Sequence, residues 1–264
     1  MKMVQGRIIY VLAFVMAGLG LTAVSMSAAL YTENFTNTTS GNQAISTVGW
    51  TGYYTTSATN VSAIVMGSGA DTWGLSNTYG NPIANGQGYL FTLNSSYSQQ
   101  IFAAYDSTFT AMDMTGTSIT WNMGNASNIP KIYVLIQVAG SWYASTTSFS
   151  TPSGYSAGSF NSATSGVTYS LNFTTDKSAW RNFTLVENSS MGLGAALTSD
   201  LPSSSITSIG YFIDYTGVTG TGSAVRIDTL QIIPEPVVAT LLLLGIGLVS
   251  GRQLRSRWRD PAPS

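Results

Sequence analysis

The chain has 264 residues and a formal net charge of −1, and it contains neither histidine nor cysteine. This composition excludes disulfide bonds, thiolate or imidazole metal sites, and Ser-His-Asp or Cys-His catalysis. Charged residues make up only 8%, which excludes a nucleic-acid-binding protein with a basic face, while 44% hydrophobic residues suffice for a folded core.

Residues 1–29 have the three-part layout of a secretory signal peptide. Lys2 and Arg7 give a positive start, an apolar run follows over residues 8–21, and small residues close the segment. We predict a signal-peptide helix that is cleaved after Ala29, with cleavage after Ala28 as the neighbouring alternative. The apolar run is short for a bilayer span, which needs about 20 residues, so an uncleaved anchor is the weaker hypothesis.

Residues 30–233 show the period-two alternation of β-strands. Every second residue is apolar at 119–123, 132–138, 167–173 and 209–215, and the residues between them are polar at 119–123 and 167–173. This pattern predicts strands with one side in a core and the other in water. Turn segments rich in glycine, asparagine, serine and proline separate the runs. We therefore predict an all-β domain, a two-sheet antiparallel sandwich of the jelly-roll kind.

The first and last strand-like segments of this domain are predicted to pair. In the last one, the inward residues change phase between Ile227 and Leu230, which predicts a β-bulge near Asp228. The pattern resembles the opening and closing strands of concanavalin-like and galactose-binding-like jelly rolls. In several carbohydrate-binding modules of that kind, a glutamate in the first strand and an aspartate in the last bind structural calcium. The resemblance implies this role for Glu33 and Asp228, with ordinary hydrogen-bonded carboxylates as the alternative.

Flat aromatic side chains supply candidate sugar-stacking positions. Sugar rings pack their apolar faces on such rings while polar neighbours bind the hydroxyls. The candidates lie near glycine-rich turns or in aromatic pairs, and they are Trp50, Tyr53, Trp73 and Trp142. Aromatic residues also fill sandwich cores, and Trp121 and Trp180 are predicted core residues because they alternate with polar neighbours.

Paired carboxylates are the catalytic apparatus that remains without histidine and cysteine. Asp106 with Asp113, or Asp71 with Asp214, are candidate pairs for a glycosidase, which needs two carboxyl groups about 5–9 Å apart. Nothing in the sequence pairs them, so we predict that the protein is not an enzyme. The domain has four basic and nine acidic side chains, a balance of −5 that suits cations or neutral sugars better than anionic polymers.

Residues 234–259 combine three features before a short tail, 260–264. The segment Pro234, Glu235 and Pro236 precedes an apolar run at 237–250, which we predict to be a transmembrane helix. A cluster of arginines follows and predicts a cytoplasmic end by the positive-inside rule. Its members are Arg252, Arg255, Arg257 and Arg259.

Together with the signal peptide, this layout resembles the PEP-CTERM protein-sorting signal, although the arginines are spaced out. The resemblance covers about a tenth of the chain. It implies an exported protein of a Gram-negative bacterium, held in the inner membrane by its C-terminal helix. An exosortase, a membrane transpeptidase-like protease, would then cut near Pro-Glu-Pro. The resemblance also implies association with exopolysaccharide in the cell envelope or a biofilm matrix.

The sequence therefore predicts a non-enzymatic cell-surface or extracellular-matrix protein. The alternative is a lectin-like carbohydrate-binding module that uses the aromatic candidates, and the second alternative is a polysaccharide-active hydrolase. Calcium is the one cofactor considered. The predicted partners are an exosortase, the inner membrane and exopolysaccharide, and nucleic acid is excluded.

Overall fold

The computed structural model describes residues 28–38, 41–55, 62–64, 72–76, 88–93, 101–124, 130–150, 167–217 and 224–235. The predicted signal peptide up to residue 27 and the segment from residue 236 onward lie outside these ranges. Contacts divide the chain into two units, and one of them is Ala29–Glu235. Within the described ranges, no helix is long and apolar enough to cross a membrane.

The unit Ala29–Glu235 is built from β-strands and two short 3-10 helices, Ile45–Val48 and Lys177–Ala179. In chain order the strands are β1 (Tyr31–Glu33), β2 (Trp50–Thr55), β3 (Ser62–Ile64), β4 (Thr72–Ser76), β5 (Tyr89–Leu93), β6 (Ile101–Asp106), β7 (Met112–Asp113), β8 (Thr117–Met123), β9 (Lys131–Val138), β10 (Ser141–Ser145), β11 (Val167–Asn172), β12 (Trp180–Val186), β13 (Ser190–Ala196), β14 (Ser205–Ile206), β15 (Ser208–Asp214) and β16 (Ala224–Pro234).

Two antiparallel sheets form a sandwich. The first has six strands in the order β11-β8-β16-β5-β4, with β1 added on β16. The second has eight strands in the order β13-β12-β10-β9-β15-β6-β2-β3, while β7 and β14 pair separately. Neighbours in each sheet are mostly distant in the chain, so long connections cross between the sheets. The predicted all-β fold, an antiparallel jelly-roll sandwich, is confirmed.

The core lies between the two sheets and is filled by the apolar residues of the alternating runs. The strands at 119–123, 132–138 and 209–213 each contribute their alternate residues, all of them fully buried. Trp121 and Trp180 are 0% exposed, which confirms both as core residues. The period of two therefore identified the inward side of these strands correctly.

The pairing of the first and last strands is confirmed. In the register, Tyr31 lies opposite Ile232 and Glu33 lies opposite Leu230. The register between β16 and β8 shifts between Asp228 and Gln231, which is the predicted bulge. Because β1 and β16 run antiparallel, the start of the domain and its end at Pro234 lie at the same corner of the sandwich.

The central strand β9 corrects one expectation. Its even-numbered residues from Ile132 to Val138 face the core, but Tyr133 and Leu135 on the other side are also buried, at 8% and 0% exposure. They belong to a second apolar cluster on the outer face of the eight-stranded sheet. The sequence predicted that this side of the strand lies in water, and that prediction is wrong.

Candidate functional site

The outer face of the eight-stranded sheet points away from the core and carries its own cluster of apolar side chains. Half-buried Tyr105 and Trp142 pack against this cluster. A sheet whose other face already covers a core normally presents polar residues outward. An aromatic outer face is therefore the feature that calls for a functional explanation. The buried members of the cluster are Tyr53, Ala103, Tyr133, Leu135, Ala144, Phe183, Met191 and Phe212.

Trp50 and Tyr53 point to opposite faces of this sheet because they lie three residues apart on β2. Trp50 is 1% exposed, and its ring lies 5.0 Å from that of Phe35 and 6.2 Å from that of Tyr211. A ring enclosed in this way offers no face to a sugar. The stacking prediction for Trp50 is therefore wrong, and Trp50 is a core residue.

Three outer-face rings form a continuous line, Tyr53, Tyr105 and Trp142, which we call the aromatic strip. The ring centroids of Tyr53 and Tyr105 are 6.2 Å apart with an interplanar angle of 13°. Those of Tyr105 and Trp142 are 4.8 Å apart at 52°. The strip brings together two of the predicted stacking residues and joins them through a third that the sequence analysis missed.

The aromatic strip crosses the sheet instead of following one strand. Tyr105 stands on β6 and Trp142 on β10, and β15 and β9 run between them. Neighbouring strands are about 4.8 Å apart, so β6 and β10 are separated by about 14 Å. A ring contact at 4.8 Å means that both side chains lean inward over the two intervening strands.

Gly210 on β15 leaves room for this arrangement. It lies between Tyr105 on β6 and Leu135 on β9, as the Cα partner of both. A Cβ atom at Gly210 would collide with the Ala104 carbonyl oxygen and lie 2.8 Å from the Tyr105 Cβ. The absence of a side chain at Gly210 is therefore a requirement of the local backbone and of the position of Tyr105.

A buried base of aromatic rings lies next to the strip. Phe212 is 2% exposed, and its ring centroid lies 5.0 Å from that of Phe183 and 5.8 Å from that of Tyr133. Phe183 belongs to β12, whose hairpin with β13 also contributes Met191 to the cluster. This packing joins the β12–β13 hairpin, at one edge of the sheet, to the central strands and fixes the surface that carries the strip.

Tyr53 supports the strip from within. It is 9% exposed, and its hydroxyl is hydrogen-bonded with that of Tyr105. Burial is the main cause that raises the pKa of Tyr53, followed by this hydrogen bond, the Tyr105 hydroxyl and the carboxylate of Glu187. Tyr53 therefore braces Tyr105, while the half-buried Tyr105 and Trp142 provide the accessible aromatic surface.

Polar side chains flank the accessible rings. Gln137 is the Cα partner of Trp142, and Thr51 is the Cα partner of Tyr105. The Gln137 Oε1 atom accepts a hydrogen bond of 3.0 Å from the Thr207 hydroxyl. An amide held through its oxygen has its N–H donors directed to the other side of the group. Apolar rings beside such donors are the combination that a sugar ring requires.

The carboxylates of the calcium prediction each accept a nearby backbone N–H. Glu33 Oε1 accepts from the Phe35 nitrogen at 2.6 Å, and Asp228 Oδ1 accepts from the Thr229 nitrogen at 2.7 Å. Burial, followed by repulsion from Asp106, raises the pKa of Glu33. Among the described residues, no group of three or more acidic side chains is placed to hold a metal ion. Two carboxylates fall short of the six to eight oxygens that calcium takes, so calcium stays a prediction.

The carboxylates of the first candidate pair, Asp106 and Asp113, accept hydrogen bonds from different parts of the structure. The two oxygens of Asp106 accept hydrogen bonds of 2.9 Å from the Tyr31 hydroxyl and 2.8 Å from the Thr108 backbone nitrogen. Asp113 Oδ1 accepts from the backbone nitrogen of Thr115 at 3.0 Å. Asp106 is buried at the end of β6, whereas Asp113 is exposed in β7. Each carboxylate thus stabilises its own turn.

The remaining candidates lie partly outside the described residues. Asp214 accepts a hydrogen bond from the Thr216 nitrogen, and Asp71 lies outside the described part of the chain. Trp73 belongs to β4 of the six-stranded sheet, and its side chain is also outside the described part. The second carboxylate pair and the stacking role of Trp73 therefore stay predictions.

The structure describes part of each predicted processing segment. Ala29 begins the folded unit, and the Leu30 backbone nitrogen donates to the Ile232 carbonyl over 2.8 Å. Pro234 ends β16, and Glu235 follows it. The other residues of the predicted sorting signal lie outside the described residues, and they are Pro236, Arg252, Arg255, Arg257 and Arg259.

No protein-family model matches the chain, and no curated protein matches it. Solved structures with a similar fold include the family 11 carbohydrate-binding module from Clostridium thermocellum in complex with a β-1,3-1,4-mixed-linked tetrasaccharide. It is 12% identical with a TM-score of 0.41, and the match covers 79% of this chain and 98% of that one.

Two further structures illustrate the range of similar folds. The CBM22-1 xylan-binding domain from Paenibacillus barcinonensis is 10% identical, with a TM-score of 0.35 and coverage of 79% of this chain and 96% of that one. A cleaved adhesin domain of Lys-gingipain from Porphyromonas gingivalis is 14% identical, with a TM-score of 0.33 and coverage of 76% and 96%. The site described above rests on the residues of this chain alone.

Proposed function

We propose that the protein binds a neutral glycan on the outer face of its eight-stranded sheet. The observation that carries this proposal is the aromatic strip, in which half-buried Tyr105 and Trp142 lie side by side at 4.8 Å with Tyr53 behind them. Both rings stack on the apolar faces of sugars, while Gln137 and Thr51 bind hydroxyl groups. This is the lectin-like alternative of the sequence analysis, and the strip favours it.

The charge of the domain supports a neutral ligand. Its balance of −5 repels anionic polysaccharides, and Glu187 places a negative charge near Tyr53. Stacking and neutral hydrogen bonds are only weakly sensitive to salt, unlike attraction between charges. We therefore expect binding that persists when the salt concentration is raised.

The test is a binding measurement with the purified full chain in a mild detergent. Neutral glycans and exopolysaccharide from an exosortase-bearing bacterium are titrated by calorimetry, first with the unmodified chain and then with Trp142→Ala and Tyr105→Ala. Phe109→Ala is the matched control, because Phe109 is a half-buried aromatic residue that packs on Tyr31 away from the strip. Binding that is saturable, and is weakened roughly tenfold or more in the first two variants alone, supports the proposal. Equal binding by all of these proteins contradicts it.

We also propose that the protein binds glycans without cleaving them. This is supported by the described carboxylates of the candidate pairs, each of which accepts hydrogen bonds in its own turn. The measurement is an assay for new reducing ends after incubation of the chain with each glycan that it binds. Reducing ends that increase with time, and that disappear in Asp106→Asn or Asp214→Asn, would establish a hydrolase instead.

The remaining part of the proposal concerns location. The chain is exported by its signal peptide, held in the inner membrane by residues 237–250, and released by an exosortase near Pro-Glu-Pro to the cell envelope or matrix. The position of the motif supports this proposal, because the folded unit ends at Glu235 and leaves the following residues for an anchor. Replacing Pro234, Glu235 and Pro236 with alanine should leave the protein in the inner-membrane fraction. Normal release of that variant would remove the sorting proposal and leave glycan binding untouched.

A further inference from the structure

The first two residues of the Pro-Glu-Pro segment are part of the sandwich. Pro234 is the last residue of β16 and the Cα partner of Thr117 on β8. The Glu235 N–H donates to the Gly116 carbonyl over 2.7 Å. The Ser118 oxygen lies 3.5 Å from Glu235 Oε1 and makes a polar contact with it. The segment is therefore held at the beginning of β8 instead of extending from the domain as a free linker.

The turn that receives Glu235 is itself well fixed. Asp113 Oδ1 accepts hydrogen bonds from the backbone nitrogen and the hydroxyl of Thr115, and Gly116 adopts the left-handed φ of +65° that completes the turn. Ser118 donates its single hydroxyl hydrogen to Asn172 Oδ1 on β11 at 2.9 Å. The carbonyl and hydroxyl that contact Glu235 are thus positioned by contacts of their own.

A peptide held in a sheet is a poor protease substrate. Recognition of an extended segment uses its backbone hydrogen-bonding groups, and the Glu235 N–H is already bonded to the Gly116 carbonyl. The segment must first detach, so the cleavage rate depends on how often this end of the sheet opens locally. A cut before Glu235 requires β16 itself to separate from β8, whereas a cut after Glu235 requires only that Glu235 detach from Gly116.

We propose that the cut which frees the domain falls on the C-terminal side of Glu235, and that the contacts between Glu235 and β8 limit its rate. This inference rests on the proposed processing by an exosortase. The peptide bond that breaks lies after Glu235. Its acyl carbon passes to water or to an amine, and the departing amino group takes a proton and stays with the anchor. The released domain therefore keeps the residue that fastens β16 to β8. The fold then stays closed at this corner after release.

The test measures the mass of the released protein and the rate of its release from an exosortase-bearing bacterium. We expect the final residue to be Glu235 or a later one, and a final residue at Pro234 or earlier overturns the proposal. Ser118→Ala removes the hydrogen bond to Asn172 that fixes the beginning of β8, together with the contact to Glu235. It should accelerate release by roughly threefold to tenfold, the effect of losing one hydrogen bond. Ser170→Ala on the neighbouring strand β11 is the matched control and should release at the original rate.

A second variant and a second measurement keep the outcomes distinct. Asp113→Ala loosens the same turn without altering Ser118, and it should also accelerate release. An unchanged rate in both variants overturns the rate-limiting role of the contacts. If the unmodified chain is never released, the sorting proposal fails, and hydrogen exchange in the full chain then examines the contact alone. A Glu235 amide that exchanges as fast as in an unstructured peptide overturns the attachment to β8.

Discussion

The two faces of the eight-stranded sheet use similar residues for different purposes. On the inner face, Trp50 and Tyr211 are enclosed between two sheets and are 1% and 0% exposed. On the outer face, Tyr105 and Trp142 are supported from one side only and remain half-buried. The comparison shows that an aromatic residue near a turn acquires its role from the face on which it lies. The inner rings hold the fold together, while the outer rings are available to a ligand.

The largest expected difference between the faces is in stability. Trp50→Ala removes a ring that is enclosed by Phe35 and Tyr211, and it should lower the free energy of unfolding by about 3–5 kcal/mol. Trp142→Ala removes a half-buried ring and should lower it by much less. Urea denaturation followed by tryptophan fluorescence measures both values. The comparison of faces fails if the two variants lose equal stability.

Gly210→Ala should have the second largest effect. A side chain at this position would disturb both the packing of β15 on β6 and the position of Tyr105. The new Cβ would collide with the Ala104 carbonyl oxygen, so β15 and β6 must move apart. We expect a loss of about 1–3 kcal/mol of stability together with weaker glycan binding, because Tyr105 moves with β6. Urea denaturation and calorimetric titration measure the two effects.

A matched glycine separates collision from backbone strain. Gly140 has a φ of +81°, but a Cβ there would meet nothing within 4 Å. Gly140→Ala therefore introduces strain without a collision and should leave glycan binding unchanged. If Gly140→Ala weakens binding as much as Gly210→Ala does, the proposed role of Gly210 in positioning Tyr105 is wrong.

The sequence predicted the inner face well for a simple physical reason. Apolar residues at every second position of β9 and β15 are removed from water when that side of each strand faces a second sheet. A core between two sheets buries all of these residues together. The same reasoning predicted the pairing of β1 with β16, and the phase change after Ile227 predicted the bulge. These features depend on local pattern and on the two ends of the domain.

The outer face was harder to predict because its contacts join strands that are distant in the chain. Tyr105 lies in the uniformly apolar run of β6, where no alternation marks one side, and its contact with Trp142 depends on the order of four strands. The error on Trp50 was avoidable, since a separation of three residues from Tyr53 already places the two rings on opposite faces. The odd or even position of a residue along the strand predicted its face of the sheet better than its nearness to a glycine-rich turn predicted its exposure.

The rings of the outer face lead to a prediction about glycan affinity. Trp142→Ala should weaken glycan binding roughly tenfold, about 1.4 kcal/mol, because one stacking surface is lost. Trp142→Phe retains a flat ring and should recover most of the affinity. Calorimetric titration of both variants measures the difference. An alanine variant that binds as tightly as the phenylalanine variant would show that the ring of Trp142 does not contact the ligand.

The smallest expected effect concerns the buried carboxylate of Glu33, close to the inner face. Burial is the main cause that raises the pKa of Glu33 above its ordinary value of 4.5, so the folded state binds a proton more readily than the unfolded state does. Its contribution to stability is therefore fully present below pH 4.5 and is lost as the pH rises through the raised pKa. Glu33→Gln keeps an oxygen for the Phe35 N–H but carries no charge, so it should flatten this decline. At pH 7 the variant should be slightly more stable than the unmodified chain, by roughly 0.5 kcal/mol after solvent screening.

Calcium would reverse the sign of that difference, which makes the experiment decisive for Glu33. An ion held by Glu33 and Asp228 stabilises the folded state by an amount that grows with its concentration, about 2.7 kcal/mol at 100 times the Kd. Melting temperatures of the unmodified chain and Glu33→Gln are compared at pH 4 and pH 7, each with calcium and with chelator. A calcium-dependent gain that is confined to the unmodified chain establishes the metal site. Equal responses to calcium, with the variant more stable at pH 7, identify Glu33 as a buried carboxylate whose charge opposes the fold.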